Sequence, residues 1–204
     1  MKILNQRDTF SALATGLTTG LIAWRILVYL GSTLPFNIPT ISLVLIIPIL
    51  WVTGVQFGYF LGLFFRPMSQ FGRFAAIGFA NAAVDFGVLY LFISMTGIAA
   101  GFLYALFKAL SFTVATVHSY FWNKFWAFEA GASRGGAAEI LRFTSVALTS
   151  VLVNVLVATV VVFLRPASFN AEAWAGVGAI AGSATALIFS FAGFRAFVFK
   201  KKRV

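Results

Sequence analysis

Six long apolar stretches constrain the fold of this chain more than any other feature of its sequence. A helix needs about 20 consecutive apolar residues to cross a bilayer. The stretches that reach this length run approximately over residues 10–30, 41–64, 74–95, 100–122, 143–164 and 173–194. Hydrocarbon offers peptide groups no partner, and the runs lack the alternation of a membrane barrel. The sequence therefore predicts an all-α, polytopic membrane helical bundle with six transmembrane helices.

The core of this bundle is predicted to be a duplicated two-helix hairpin. Four residues recur with similar chemistry 69 positions later: Arg73, Phe74, Asn81 and Asp85 correspond to Arg142, Phe143, Ser150 and Asn154. The ends correspond at an offset of 71, with Ser119, Lys124 and Phe128 matching Ser190, Arg195 and Phe199. We expect repeats at about 71–128 and 140–199 within a four-helix membrane domain over 68–204. An N-terminal two-helix membrane extension over 1–67 precedes it.

The placement of charge predicts the topology. The formal net charge is +10, and the chain is 61% hydrophobic and only 10% charged. If the six stretches alternate in direction, most cations fall on one side: Lys2, Arg7, Arg66, Arg73, Lys124, Arg134, Arg142, Arg195 and residues 200–203. Arg25, Lys108 and Arg165 are the exceptions. The positive-inside rule then predicts a multi-pass protein of the plasma (inner) membrane with both termini cytoplasmic. We interpret the basic tail as an anchor to anionic lipid and expect no nucleic-acid partner.

Few residues are suited to catalysis or metal binding. The chain has no cysteine and one histidine, which excludes disulfides and thiolate sites. Gly131, Ser133 and Gly135 spell GxSxG, but they lie in a small-residue linker without the strand and helix of a nucleophile elbow. We expect no catalytic residue, metal or cofactor, and therefore no enzyme activity.

Polar residues at helical spacing predict a site inside the first hairpin. Asn81 and Asp85 share one face of the third stretch, and Lys108 and Ser111 share a face of the fourth. Asp85 lies about 18 Å beyond Arg73, close to the middle of the membrane. An isolated charge there costs about 2.5–3.5 kcal/mol, so Asp85 and Lys108 are expected to pair or to share a wet cavity. Two interpretations remain open, a structural lock or a pocket for a hydrophilic headgroup lined by all four residues.

A second group of residues is predicted at the cytoplasmic boundary. An aromatic run over 120–128 contains Asn123 and Lys124. One interpretation is an interfacial aromatic belt with a snorkelling lysine. The other is a cationic rim for a lipid phosphate, formed by Arg73, Asn123, Lys124, Arg142 and Arg195. In either case we expect Lys124 at the interface, not buried among helices. The lone His118 is expected to be a packing residue.

Gly178 and Gly182 form a GxxxG pattern in the sixth stretch. This pattern is more typical of helix packing than of a ligand site. We expect the second repeat to be the structural partner of the first, with a homodimer contact as the alternative.

The stretch from about Phe71 to Phe199 resembles the GtrA-like family of small four-span membrane proteins. The resemblance depends on two ordered sets of residues: Phe74, Gly78, Asn81, Asp85 and Phe86, then Ser119, Asn123, Lys124, Trp126 and Phe128. It implies a role in cell-surface polysaccharide or teichoic-acid glycosylation. Phe194 departs from the pattern where the first repeat has Asn123, and the N-terminal helix pair lies outside the usual family core.

Two functions follow from the resemblance as expectations. The first is a flippase for a polyprenyl-phosphate-linked sugar, with the phosphate at the rim and the sugar in the pocket. The second is a non-transporting scaffold that anchors a polyprenyl-phosphate glycosyltransferase. A small multidrug-type exporter fits less well, because a cation site does not normally keep a lysine beside its carboxylate. The expected partners are the sugar lipid, membrane lipids and a membrane glycosyltransferase, with a second copy of the chain as an alternative.

Overall fold

The computed structural model describes residues 5–131, 135–168 and 171–199, and all regular structure in these ranges is helical. The long helices are α1 (Gln6–Tyr29), α2 (Leu43–Leu61), α3 (Pro67–Thr96), α4 (Gly101–Trp122), α5 (Ala137–Phe163) and α6 (Ala171–Gly193). Within the described residues, six helical segments are long and apolar enough to cross a membrane. The predicted all-α fold and its six spans are confirmed. Lys2, Ser133, Arg134 and residues 200–203, which entered the sequence predictions, lie outside the described residues.

Local sequence explains where the helices begin and end. The side chain of Asn5 caps α1 by accepting a hydrogen bond of 2.7 Å from the backbone nitrogen of Asp8. Proline opens α3 at Pro67, and Gly97, with φ of 71°, ends it in the left-handed region. With 30 residues, α3 is roughly 45 Å long and exceeds the hydrocarbon thickness of about 30 Å. Residues at its N-terminal end, including Arg73, therefore lie towards one membrane surface.

The helices form two compact units, one ending at Glu129 and the other beginning at Ala130. In the first unit, α1 and α2 pack against each other and both pack on α3, which pairs with α4. The helices approach closely at small residues: a Cβ placed on Gly58 would lie 2.9 Å from the Cα of Gly72. The N-terminal helix pair thus shares a compact unit with the first hairpin. The domain boundary near residue 68 stays a prediction of the sequence.

The second unit contains α5 and α6, packed through the predicted GxxxG residues. A Cβ on Gly182 would lie 2.5 Å from the backbone oxygen of Asn154, and one on Gly178 would lie 2.7 Å from Val162. Only the absence of a side chain allows this approach, so the packing role predicted for Gly178 and Gly182 is confirmed.

Each hairpin ends in a five-residue π-helical turn, Asn123–Ala127 after α4 and Phe194–Val198 after α6. In the first turn the backbone nitrogen of Phe128 donates to the oxygen of Asn123 at 2.9 Å. In the second, Phe199 donates to Phe194 at 2.8 Å. Each closing phenylalanine also meets the phenylalanine near its hairpin's start, with ring centroids 6.1 Å apart in both units. In each hairpin this turn returns the chain to the N-terminal part of the hairpin's first helix, which is α3 in the first hairpin and α5 in the second.

Candidate functional site

An ion pair lies inside the first hairpin, between α3 and α4. The ammonium group of Lys108 donates to Oδ2 of Asp85, and Oγ of Ser111 donates to Oδ1 at 2.6 Å. Both carboxylate oxygens are therefore engaged, and the predicted pairing of Asp85 with Lys108 is confirmed. The side chain of Asp85 is 18% exposed and that of Lys108 is 40% exposed. Because an ammonium group has three donors, Lys108 is the member of this pair that remains open to a ligand.

The depth of this pair follows from helix geometry. Asp85 precedes the last residue of α3 by 11 positions, about 17 Å along the axis. Lys108 follows the first residue of α4 by seven positions, about 10 Å. The pair is thus well inside both spans, where unpaired charges are costly and ionisable residues usually serve a function.

Buried polar atoms without a hydrogen-bond partner continue from this pair towards the end of the hairpin where α3 begins and α4 ends. Within the described part of the chain they are Oδ1 of Asn81, Nδ1 of His118 and Oδ1 of Asn123, besides Nε of Arg73. Asn81 is one helical turn from Asp85, and His118 is two turns from Ser111, so helical spacing places them on the same faces as the ion pair. A buried polar atom without a partner is unfavourable. Hydroxyl groups or water would satisfy all three side chains, because both are able to donate and to accept.

A buried cluster surrounds Arg73 where α1, α2, α3 and the first π-helical turn meet. Nη1 of Arg73 contacts Oε1 of Glu129 at 2.5 Å, donates to the backbone oxygen of Trp126 at 3.1 Å and lies 3.6 Å from Oδ1 of Asp8. Asp8 is 1% exposed. Its carboxylate accepts hydrogen bonds from the hydroxyl of Tyr59 at 2.6 Å and from Nε1 of Trp126 at 2.9 Å. Two carboxylates therefore compensate the guanidinium.

The sequence does not predict the partners of Arg73. Asp8 and Glu129 lie 65 and 56 residues away from Arg73 in the chain, and Tyr59 lies on a third element. One signal was available, because Asp8 is one of only five acidic residues and stands at the start of a membrane span. Acidic residues this rare and this close to lipid are expected to have a cationic partner.

The other predicted rim residues differ in burial. Asn123 and Lys124 lie in the first π-helical turn and are 1% and 6% exposed. The expectation that Lys124 is unburied is wrong, because the wide turn directs it towards Tyr120, whose hydroxyl accepts from Nζ at 3.1 Å. Arg142 and Arg195 belong to the second unit and are exposed there. The structure thus groups Arg73, Asn123 and Lys124 in one unit and Arg142 and Arg195 in the other.

The second unit has no equivalent of the ion pair among its described residues. Asn154, which corresponds to Asp85, is half-buried and packs against Gly182. Among the described residues, the ion pair therefore has no counterpart in the second hairpin.

Comparison with known proteins agrees with this architecture. The family model described as the GtrA/DPMS transmembrane domain matches residues 73–199, which is more than half of the chain. An uncharacterized membrane protein of Bacillus subtilis (strain 168), YngA, is 29% identical over 134 residues, covering 66% of this chain and 82% of the relative. A membrane role in the handling of polyprenyl-phosphate sugars fits this family. The matched residues include both hairpins and exclude α1 and α2, and the chain belongs to the GtrA/DPMS transmembrane domain family.

Proposed function

We propose that this protein moves a polyprenyl-phosphate-linked sugar across the membrane, with the sugar passing the Asp85–Lys108 pair. The observation that carries the proposal is the position of this pair inside two membrane spans, with a two-fifths exposed Lys108. A lysine that only held α3 and α4 together through Asp85 would not need an ammonium group with further donors accessible to a ligand. In a membrane protein, the default interpretation of such a group is a path for a hydrophilic substrate.

The chemistry of the surrounding atoms suits a hydroxyl-rich headgroup. Lys108 supplies donors, and the unpartnered oxygens of Asn81 and Asn123 supply acceptors. The unpartnered nitrogen of His118 supplies a donor or an acceptor according to its tautomer. Sugar hydroxyls both donate and accept hydrogen bonds, so a sugar is able to bind to each of these side chains. The isoprenoid chain stays in lipid throughout, because every helix in the first unit exposes large apolar side chains.

At the cytoplasmic end of the first unit, we assign the lipid phosphate to the ammonium group of Lys124, because the amide nitrogen of its neighbour Asn123 already donates to Ser119. The guanidinium of Arg73 is already engaged by Asp8 and Glu129. The π-helical turn supports this assignment because such turns occur frequently at functional sites.

Headgroup translocation in proteoliposomes that contain only this protein tests the proposal. The probe is a polyprenyl-phosphate sugar labelled on the sugar, and an impermeant reagent reports how much label remains on the outer surface. We expect the full chain to equilibrate the label between leaflets faster than protein-free vesicles. The scaffold function would be favoured by two results together. The protein binds the lipid in vesicles without moving it, and it retains a glycosyltransferase in pull-downs.

A further inference from the structure

A groove between α1 and α3 in the first unit is separate from the ion pair and the rim. Its volume is about 450 Å³. Its walls are mainly aliphatic, with Leu21, Ile22 and Ile26 from α1 and Val84, Val88 and Leu91 from α3. The lining on α1 extends from Leu21 to Tyr29, which is about 12 Å along the helix. A long apolar surface of this kind suits a hydrocarbon chain better than a soluble ligand.

Arg25 is the one cation that lines this groove. It is exposed and lies four positions before the end of α1, about 6 Å from that end. No ion pair to Arg25 is present among the described residues, and its guanidinium lies 5.7 Å from the ring of Trp24. An arginine inside a membrane span is costly without an anionic partner. A lipid phosphate is the anion available at this depth, and guanidinium binds phosphate through paired hydrogen bonds.

Arg25 and the Arg73 cluster lie at opposite ends of the first unit. Asp8 and Arg25 both belong to α1 and are 17 residues apart, roughly 25 Å along the axis. A lipid whose headgroup crosses the membrane needs a phosphate contact at each end of its path. Lys124 supplies one at the end near Asp8, and Arg25 is a cation at the other.

We propose that this groove holds the isoprenoid chain of a polyprenyl-phosphate lipid after its headgroup has crossed, with the phosphate on Arg25. This inference rests on the proposed function and adds a second phosphate site to it. It also accounts for a cation that departs from the one-sided charge distribution of the chain.

The test measures where a lipid probe binds on the full chain in nanodiscs of zwitterionic phosphatidylcholine. The probe is a polyprenyl monophosphate with a photoreactive group on its first isoprene units, and labelled peptides are identified by mass spectrometry. We expect labelling within residues 21–29 and 84–94. Arg25→Gln should weaken binding at this position about tenfold or more, since it removes a charge-assisted contact. Arg25→Lys should weaken probe binding less, because the positive charge remains while the paired guanidinium donors are lost.

A pair of tryptophan variants tests the groove itself. Leu91→Trp fills the groove, whereas Leu110→Trp places the same ring on α4, outside it; both leucines are exposed, so neither change alters the core. We expect Leu91→Trp to abolish labelling and Leu110→Trp to leave it unchanged. Arg66→Gln, which removes an exposed cation away from the groove, serves as the control for net charge.

Four results would overturn the inference. The first two are that Arg25→Gln binds the probe as well as the unmodified chain does, and that Leu91→Trp and Leu110→Trp change the labelling equally. The other two are that a neutral polyprenyl alcohol binds as well as the phosphate probe, and that an equimolar amount of phosphatidylglycerol displaces the probe. Translocation by the unmodified chain is measured in parallel. If that chain translocates the sugar lipid but is labelled elsewhere, the groove assignment fails and the proposed function stands. If it neither binds nor translocates the lipid, both fail.

Discussion

At the scale of single residues, this chain uses three of its five acidic groups as partners for cations inside or beside the membrane. Asp85 pairs with Lys108, and Asp8 and Glu129 compensate Arg73. Removing one member leaves the other charge in a poorly solvating environment, which is more destabilising than removing both. Two groups of variants test these pairings separately.

The first group is a double-mutant cycle on the ion pair. Asp85→Asn and Lys108→Met should each lower the unfolding free energy, and the double variant should lose less than the sum. The expected coupling is about 0.5–3 kcal/mol. Reversible unfolding in mixed micelles measures it, with Thr113→Val as the control, since exposed Thr113 bonds only to the backbone of Ala109 in the same helix. Additive losses would show that the two charges do not stabilise one another.

The second group concerns Asp8. Asp8→Asn keeps the shape of the side chain but removes one of the two anions near Arg73, so we expect a loss of about 3 kcal/mol in unfolding free energy. Tyr59→Phe deletes one hydrogen bond to the carboxylate and should cost about 1.5 kcal/mol. Thr18→Val, on the exposed face of α1, is the control. If Asp8→Asn unfolds like the control, the cluster does not contribute to stability.

At the scale of elements, close helix contacts depend on glycine where two backbones meet. Gly58 in α2 and Gly72 in α3 face each other, whereas Gly54, one turn earlier in α2, has nothing within 4 Å of its Cβ position. Small residues at such crossings let membrane helices approach closely. The N-terminal helix pair is attached to the first repeat by contacts of this kind.

The two glycines provide a matched comparison. Gly58→Ala forces the α2 and α3 backbones apart, and we expect it to cost about 1–3 kcal/mol. Gly54→Ala meets no obstacle and should be neutral or slightly stabilising, because alanine has the higher helix propensity. Thermal unfolding of the two purified variants decides the matter. Equal midpoints would mean that the α2–α3 crossing does not need glycine.

The elements were more predictable from sequence than the contacts between them. Apolar length gave the six spans, and helical spacing predicted the pairing of Asp85 with Lys108. The Asp8–Arg73 contact depends on how α1 packs against α3, which periodicity within either helix does not encode. The burial of Lys124 depends on a π-helical turn, and an aromatic run looks the same whether its lysine snorkels or folds inward.

At the scale of the whole molecule, the sequence makes one claim that labelling in membranes is able to test, the cytoplasmic position of both termini. Because the chain has no cysteine, a single introduced cysteine is the one thiol that a maleimide labels on the purified protein. Ser32→Cys, after α1, should react with an impermeant maleimide added outside cells. Gly131→Cys, between the two hairpins, should react only after the membrane is opened. The reverse pattern would invert the topology and exchange the faces assigned to Lys124 and Arg25.

The translocation rate of Lys108→Met, compared with that of Thr113→Val, tests whether the sugar passes the Asp85–Lys108 pair. Both changes lie on α4 and both variants are first shown to be folded, so a difference reports on the path and not on stability. We predict that Lys108→Met moves the labelled sugar at least about tenfold more slowly, since it removes the open donor beside Asp85. Thr113→Val should match the unmodified chain. Equal rates for the two folded variants would contradict the claim that the sugar passes this pair.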